Sequence, residues 1–231
     1  MDDAMNTIEL PLFPLNTVLF PGQLLPLHIF EDRYRLMIRR CLAEDKPFGI
    51  VLLRGGAEVG ENPGVETHSI GTTARIVESS HLADGTLNVV AVGTERFRVI
   101  QLYHDEPYLR GEVASWPLVF GENDVRLLAL AEAVRSRTVR YIELIATAAG
   151  LKIQVGDVPS EPRQVGYLAA VAMQIDNREK QRLLAAETPV EILAIEIALL
   201  SRENALLSWM AESKEWPGSV QLGPSGTLLP N

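Results

Sequence analysis

Prolines interrupt the apolar sequence at the start of this chain and restrict what it can form. Three short apolar runs between residues 10 and 30 are broken at Pro14, at Pro21-Gly22 and at Pro26. Proline donates no backbone hydrogen bond, so such runs suit sheet edges, strand starts and bulges rather than a central strand. Pro21-Gly22 is turn chemistry, because proline fixes φ and glycine accepts positive φ. The opening therefore predicts a kinked pair of strands.

A helix is predicted directly after these strands, over residues 31–43. Its start carries Glu31 and Asp32, and acidic side chains suit the unpaired N–H groups of a first turn. Phe30 precedes them, at the position of a hydrophobic staple. Five apolar residues follow at helical spacing and predict the buried face: Tyr34, Met37, Ile38, Cys41 and Leu42.

The opposite face of this helix carries Arg33, Arg35, Arg39 and Arg40. We predict a solvated face, with a basic patch as the alternative. The formal net charge of the chain is −9, and residues 1–118 alone have a balance of −6. Neither value supplies the net positive field on which nucleic-acid binding draws.

The rest of the first half is predicted to be strands. An apolar strand at residues 48–53 precedes a glycine-rich loop at 54–69, and Asp84-Gly85 is a hairpin signal. Further strands are predicted at residues 70–82, 87–92, 96–102 and 108–116, and Pro117 ends the strand-rich half.

The second half changes to helical periodicity. Helices are predicted from residue 122 to a cap at Gly150, around residues 165–175, and over 179–187. Thr188-Pro189-Val190-Glu191 is a capping box that starts a long last helix, apolar on much of its circumference. We therefore predict a β-rich domain at 1–118, a helical domain at 119–216 and a flexible tail at 217–231.

Several segments together resemble the N-terminal, substrate-binding domain of the ATP-dependent Lon protease family. The likeness runs from about residue 9 to about residue 212, and the pieces occur in the order of that family. They are Pro-Leu-Phe-Pro-Leu at 11–15, Val-Leu-Phe-Pro-Gly at 18–22, Leu-His-Ile-Phe-Glu at 27–31 with Arg33-Tyr34 and Met37, Ile-Gly-Thr at 70–72, Val-Gly-Thr-Glu-Arg-Phe-Arg-Val at 92–99, and Lys-Gln-Arg-Leu-Leu at 180–184.

The resemblance implies an α+β fold: a β-rich, PUA-like pseudo-barrel with one helix, followed by a C-terminal α-helical bundle. It also implies a non-catalytic module, standing alone without the ATPase and protease domains, that recognises exposed apolar polypeptide segments. The implied partners are unfolded or partly exposed polypeptides. As an adaptor, the module would also work with a protease or chaperone system. The binding groove is expected near the junction of the two halves, with sheet edges offering backbone hydrogen bonds.

The sequence predicts no catalytic or metal chemistry. The glycine spacing of residues 55–60 resembles a phosphate loop, but Glu61 and Asn62 stand where that loop has lysine and serine or threonine. Gly223-Pro224-Ser225-Gly226 looks like the tetrapeptide around the catalytic serine of Lon proteases, but no downstream lysine follows. The four histidines, His28, His68, His81 and His104, lack metal-ligand spacing, and Cys41 is predicted to be buried and inert.

Two other functions remain open at this point. PUA-like barrels are also used to bind RNA, so RNA binding is the alternative function. The net negative charge of the strand-rich half argues against it. An enzyme acting on a small molecule is the third, with no constellation of side chains in its favour. No cofactor and no membrane partner are expected, and a single cysteine with an acidic N-terminus indicates a cytoplasmic protein. The sequence leaves the substrate-binding residues and the oligomeric state undefined.

Overall fold

The structure, a computed structural model, describes residues 7–55, 66–121, 124–151, 153, 155–156, 158–213, 221–222 and 228–229. The elements are β1 (Thr7–Leu15), β2 (Leu24–Ile29), α1 (Asp32–Glu44), β3 (Phe48–Gly55), β4 (Glu66–His81), β5 (Leu87–Tyr103), β6 (Arg110–Ser115), α2 (Val125–Ala148), α3 (Pro162–Ala172), α4 (Asn177–Leu184), α5 (Pro189–Ser213), β7 (Gln221–Leu222) and β8 (Leu228–Leu229). This confirms the predicted α+β class. Backbone contacts divide the chain into unit 1 (residues 1–117 and 177–185) and unit 2 (residues 118–176 and 186–231).

Six strands of unit 1 form one sheet in the order β2-β5-β4-β3-β1-β6, and β6 also pairs with β5. The sheet therefore closes on itself as the predicted pseudo-barrel. The long strand β5 makes closure possible, because residues 87–92 pair with β2 and residues 97–103 pair with β6. Strand β2 has β5 as its partner and belongs to no other pairing among the described strands.

The prolines of β1 lie where that strand has one partner at a time. Pro11 pairs with Arg110 of β6, and Pro14 pairs with Val51 of β3. The strand changes partner between Pro11 and Leu12, so each proline can turn its donor-free nitrogen away from a ladder. This agrees with the expectation that proline-broken runs avoid fully paired strand positions.

The buried face of α1 is largely as predicted. Tyr34, Met37, Ile38 and Cys41 are buried, and the ring of Tyr34 stacks on Phe13 of β1 at 4.1 Å between centroids. Two expectations are wrong. Leu42 is 38% exposed at the end of the stripe and so is not buried, and Phe30 is 51% exposed, so it does not staple the helix. Glu31 stands at the N-cap position without a side-chain cap hydrogen bond, and its carboxylate pairs with Arg33 at 2.9 Å.

Two glycines of unit 1 stand where backbones approach closely. A Cβ on Gly93 would collide with the carbonyl oxygen of Phe20, and one on Gly71 would collide with that of Ile50. Any side chain would have to push two chain segments apart. The glycines within Ile-Gly-Thr and Val-Gly-Thr therefore have a packing reason.

Helix α4 belongs to unit 1, although its neighbours in the chain belong to unit 2. Gln181 donates to the carbonyl of Ile70 at 2.9 Å, and Arg96 donates to the carbonyl of Leu184 at 2.5 Å. Arg96 also donates to the carbonyl of Trp116 at 3.1 Å. The predicted domain boundaries at residues 118 and 216 stay a prediction. Residues 177–185 lie in the predicted helical domain by sequence, but their contacts group them with unit 1.

Unit 2 is built from α2, α3 and α5, each with an oxygen cap at its start. The carboxylate of Asp124 accepts from the backbone of Arg126, and that of Glu161 accepts from the backbone of Gln164. The hydroxyl of Thr188 accepts from the N–H of Glu191 at 3.1 Å, as the predicted capping box requires. At the other end of α2, Gly150 has φ of +68°, the left-handed conformation of a helix cap.

Helices α2 and α5 run in the same direction. The amide of Asn204 donates to the carbonyl of Arg137 at 3.0 Å, and further along both helices Arg140 donates to Ser208 at 3.1 Å. Between α5 and α3 lies Glu196, which is fully buried, with a carboxylate oxygen 3.6 Å from where a Cβ of Gly166 would stand.

The connections agree with the sequence in part. Gly85 has φ of +84° in the predicted Asp-Gly turn between β4 and β5. The predicted loop at 54–69 is shorter than expected, because β4 begins at Glu66 and includes His68. Most of that loop lies outside the described residues, as does most of the predicted flexible tail. Within the tail, β7 pairs with β8.

Candidate functional site

The outward face of unit 1 beside β2 carries exposed apolar side chains. Residues opposite each other on paired strands point to the same face, and Leu24 stands opposite Val92, Pro26 opposite Val90, and His28 opposite Asn88. The intervening residues of β2 are turned to the core, where Ile29 is buried. We call Leu24, Pro26, His28, Val90 and Val92 the outward β2–β5 surface.

Exposure is highest at the free edge of this surface. Leu24 is 61% exposed, Pro26 is exposed, and Val90 and Val92 are partly exposed. The ring of Phe30 extends the surface, stacked at 6.1 Å from the ring of His28. His28 is fixed in turn by Asn88, whose side-chain oxygen lies 2.8 Å from Nδ1. The result is an apolar strip next to a strand edge that can pair with another strand.

The charges around this surface are arranged unevenly. Arg33 pairs with Glu31, Arg35 pairs with Asp32, and Arg75 of β4 pairs with Asp45 at 3.4 Å. Two carboxylates have no cationic partner among the described residues. Glu78 of β4 is exposed and stands opposite Val90, and Asp84 lies in the hairpin turn.

The carboxylate of Asp84 is held by the turn itself. It accepts from the hydroxyl of Thr86 at 2.7 Å and from the N–H of Thr86 at 3.0 Å. These hydrogen bonds lower the pKa of Asp84, with a smaller contribution from nearby His28. Asp84 therefore stays ionised at neutral pH, close to the outward β2–β5 surface.

The arginines of α1 form a weaker basic patch than their number suggests. Besides the pairs of Arg33 and Arg35, Arg40 pairs with Glu106 at 3.0 Å and donates to the hydroxyl of Tyr108. Arg39 is exposed and has no acidic partner among the described residues. Three of the four positive charges are thus balanced on the same surface.

Candidate catalytic and metal residues are not brought together. Cys41 is buried, and burial raises the pKa of its thiol to about 11, so the thiol is protonated and unreactive at neutral pH. Within the described ranges, no three or more His, Cys, Asp or Glu side chains are grouped as metal ligands. The phosphate-loop-like glycines after Gly55, and Ser225, lie outside the described residues. None of the described helices has the length and apolar character to cross a membrane.

The sequence contained a signal for this surface that was not used. Residues 24–29 are apolar at nearly every position, which is typical of a strand covered on both faces. Strand β2 is covered on one face and lies at an edge. An apolar strand with prolines that mark it as an edge therefore indicated an uncovered apolar surface.

Comparison with known proteins identifies the fold. The family model of the ATP-dependent protease La (LON) substrate-binding domain matches residues 9–202, so the chain belongs to this family.

Its relatives include Lon protease 2 of Myxococcus xanthus, 28% identical over 200 residues, and the Lon protease of Anaeromyxobacter dehalogenans, 26% identical over 200 residues. Each alignment covers 86% of this chain and 24% of the relative, so the chain spans about a quarter of the length of these proteases.

Two solved structures support the same conclusion about the fold. The Lon N-terminal domain protein from Xanthomonas campestris is 28% identical, with a TM-score of 0.59, and the match covers 87% of this chain and 98% of that one. The N-terminal domain of the Mycobacterium avium complex Lon protease has a TM-score of 0.63 over 84% of this chain and 98% of that one. At 19% identity, the second likeness concerns the fold alone.

Proposed function

We propose that this chain is a non-catalytic recognition module that binds polypeptide segments with exposed apolar side chains, and that it does so on the outward β2–β5 surface. The observation that carries the proposal is the exposed apolar strip of Leu24, Pro26 and Phe30, beside a strand edge that no other described strand pairs with, in a member of a substrate-binding family.

Binding would use two features of this region. Apolar side chains of a bound segment lose water against Leu24, Val92 and Phe30, at about 25 cal/mol for each Å² of apolar area removed from solvent. The edge of β2 offers backbone hydrogen-bonding groups to an extended segment. These hydrogen bonds do not depend on the sequence of the bound segment. Together they favour unfolded segments, because most folded proteins keep the bulk of their apolar side chains and their strand edges covered.

An adaptor role would follow from such binding. A module that holds an unfolded polypeptide can deliver it to a protease or chaperone, and the relatives that carry this domain within a protease support that direction. We also propose that the protein acts in the cytoplasm.

The test is a fluorescence anisotropy titration with a fluorescein-labelled, reduced and carboxymethylated protein as the unfolded probe. We expect Leu24→Gln and Phe30→Gln each to weaken binding by about 5- to 30-fold, the effect of losing about 1 to 2 kcal/mol at an interface. The matched control is Ile8→Gln, because Ile8 is 50% exposed in the same unit on β1. Equal losses for all three variants, or no binding by the unaltered chain, would refute the proposal.

RNA is the competing ligand in this test. The balanced arginines of α1 give no observation in its favour, so we expect an unlabelled homopolymeric RNA to leave the bound probe in place. Displacement by RNA that disappears at high salt and in Arg39→Ala would support the RNA alternative instead.

A further inference from the structure

A carboxylate without a cationic partner among the described residues, that of Glu78, lies beside the apolar strip. Glu78 lies opposite Val90, and Val90 lies opposite Pro26, so the three side chains form one row across β4, β5 and β2. Opposed side chains on neighbouring strands have Cβ atoms about 4.5–5.5 Å apart. The carboxylate of Glu78 is therefore within one side-chain length of any group that rests on Val90.

The nearby cations do not cancel this carboxylate. Arg75 is the basic residue on the same face of β4, and its guanidinium lies 3.4 Å from Asp45. On α1, Arg35 pairs with Asp32 and donates to the carbonyl of Gly85 at 2.9 Å. With Asp84 also ionised in the hairpin turn, the edge of the apolar strip has an excess of negative charge.

Resting on the proposed function, we infer that this surface discriminates by charge: it selects apolar segments that carry lysine or arginine next to the apolar residues, and it disfavours segments flanked by aspartate or glutamate. A basic side chain beside an apolar residue on Val90 would meet Glu78. An acidic one would meet the same carboxylate and the field of a chain with net charge −9.

The size of the preference is set by solvent. Glu78 is exposed, and exposed ion pairs contribute little because water and salt screen them. We therefore expect about a threefold change in affinity for each charge that is added or removed at low salt. The preference should shrink as the Debye length falls to about 3 Å near 1 M salt.

The experiment uses three fluorescein-labelled peptides with one apolar core, flanked by two lysines, two serines or two glutamates. Anisotropy titrations of the full chain at low and high salt should give the affinity order lysine, serine, glutamate, with steps of about threefold or more that shrink at high salt. Glu78→Lys should remove or reverse this order. The matched control is Glu143→Lys, which makes the same change in net charge on an exposed position of α2.

The outcomes separate the two ideas. If the serine-flanked peptide binds in a manner sensitive to Leu24→Gln, but the three peptides bind equally, the charge preference is wrong and the proposed function stands. Equal effects of Glu78→Lys and Glu143→Lys also overturn the preference, because net charge alone then explains it. Absence of binding by the serine-flanked peptide overturns the proposed function and the preference together.

Discussion

The two units differ most in one buried charged side chain each, Arg96 in unit 1 and Glu196 in unit 2, although unit 2 also bonds a buried amide across two helices at Asn204. In unit 1 buried polar groups join segments that are far apart in the chain: Thr72 donates to the carbonyl of Leu19 at 2.6 Å, Gln181 to that of Ile70, and Arg96 to that of Leu184. In unit 2, Glu196 is fully buried, and neither of its carboxylate oxygens has a hydrogen-bond partner among the described residues.

The difference follows from the secondary structure. The ends of helices and strands leave backbone carbonyls that side chains can reach, and Arg96 uses two of them, that of Leu184 at the end of α4 and that of Trp116 just after β6. Glu196 lies within α5, and helices use their own backbone N–H groups along their length, so its carboxylate finds no backbone donor there. We therefore expect Arg96 to stabilise unit 1 and Glu196 to destabilise unit 2. The following predictions test that contrast.

The largest effect is expected for Arg96→Met. The substitution leaves the carbonyls of Leu184 and Trp116 buried without their donor, and it releases the last turn of α4. Each buried acceptor left without its donor costs about 1–3 kcal/mol, so we expect a loss of about 3–5 kcal/mol in urea denaturation followed by tryptophan fluorescence.

Arg39→Met is the control for this measurement, because Arg39 is exposed on α1. It should change the free energy of unfolding by no more than about 0.5 kcal/mol. If Arg96→Met were equally mild, the polar contacts of unit 1 would be incidental and the contrast with unit 2 would fail.

A loss of about 3 kcal/mol is expected for Gly93→Ala, because the new methyl group would press on the carbonyl of Phe20 in a place that cannot relax without moving backbone. Circular dichroism during thermal unfolding measures it. A variant as stable as the unaltered protein would show that the close approach in the barrel is adjustable.

Glu196→Gln is expected to increase the free energy of unfolding, whereas Arg96→Met and Gly93→Ala are expected to lower it. Burial raises the pKa of Glu196 well above 4.5. The folded state then holds a proton that the unfolded state releases, so the contribution of this group is most favourable below pH 4.5 and is lost as pH rises through the folded pKa. Glutamine has no proton to lose, and it should make unit 2 more stable at pH 8 by about 1–3 kcal/mol.

The pH dependence distinguishes this cause from ordinary repacking. The difference in free energy of unfolding between Glu196→Gln and the unaltered chain should be small near pH 4.5 and grow toward pH 8 in urea melts. A constant difference across that range would mean that titration of Glu196 plays no part.

The smallest effect is a gain of about 0.5–1 kcal/mol for Gly166→Ala in α3. A Cβ there would stand 3.6 Å from Leu193 and from Glu196, which is ordinary contact. Hydrogen exchange of the α3 amides should slow. Glycine-to-alanine substitution would then stabilise unit 2 at Gly166 and destabilise unit 1 at Gly93. If Gly166→Ala lowered the free energy of unfolding, the two units would not differ in this respect.

Local patterns predicted the elements because their causes are local. The spacing of Tyr34, Met37 and Ile38 defined the buried face of α1, and Asp84-Gly85 supplied the residue that accepts positive φ in the hairpin. Phe30 shows the limit of this reasoning, since a staple needs a packing partner and the position alone does not provide one. Leu42 fails for the same reason at the end of the helix.

Long-range pairing could not be read from the sequence. Arg96 and Phe97 are neighbours in β5 and face opposite sides, yet both are buried, Phe97 in a core cluster and Arg96 against α4. The acceptor on Leu184 lies 88 positions away, and no periodicity within β5 reveals it. The candidate surface was missed similarly, because a sequence does not state which face of β2 stays uncovered.

The placement of α4 has a consequence for how the protein is made. Residues 177–185 complete unit 1, but they are synthesised about 60 residues after its first part ends at residue 117. At typical rates of about 5–20 residues per second, the barrel strands leave the ribosome roughly 3–12 seconds before their last helix. During that interval Arg96 lacks the carbonyl of Leu184, so the site that α4 occupies on the newborn barrel is still uncovered.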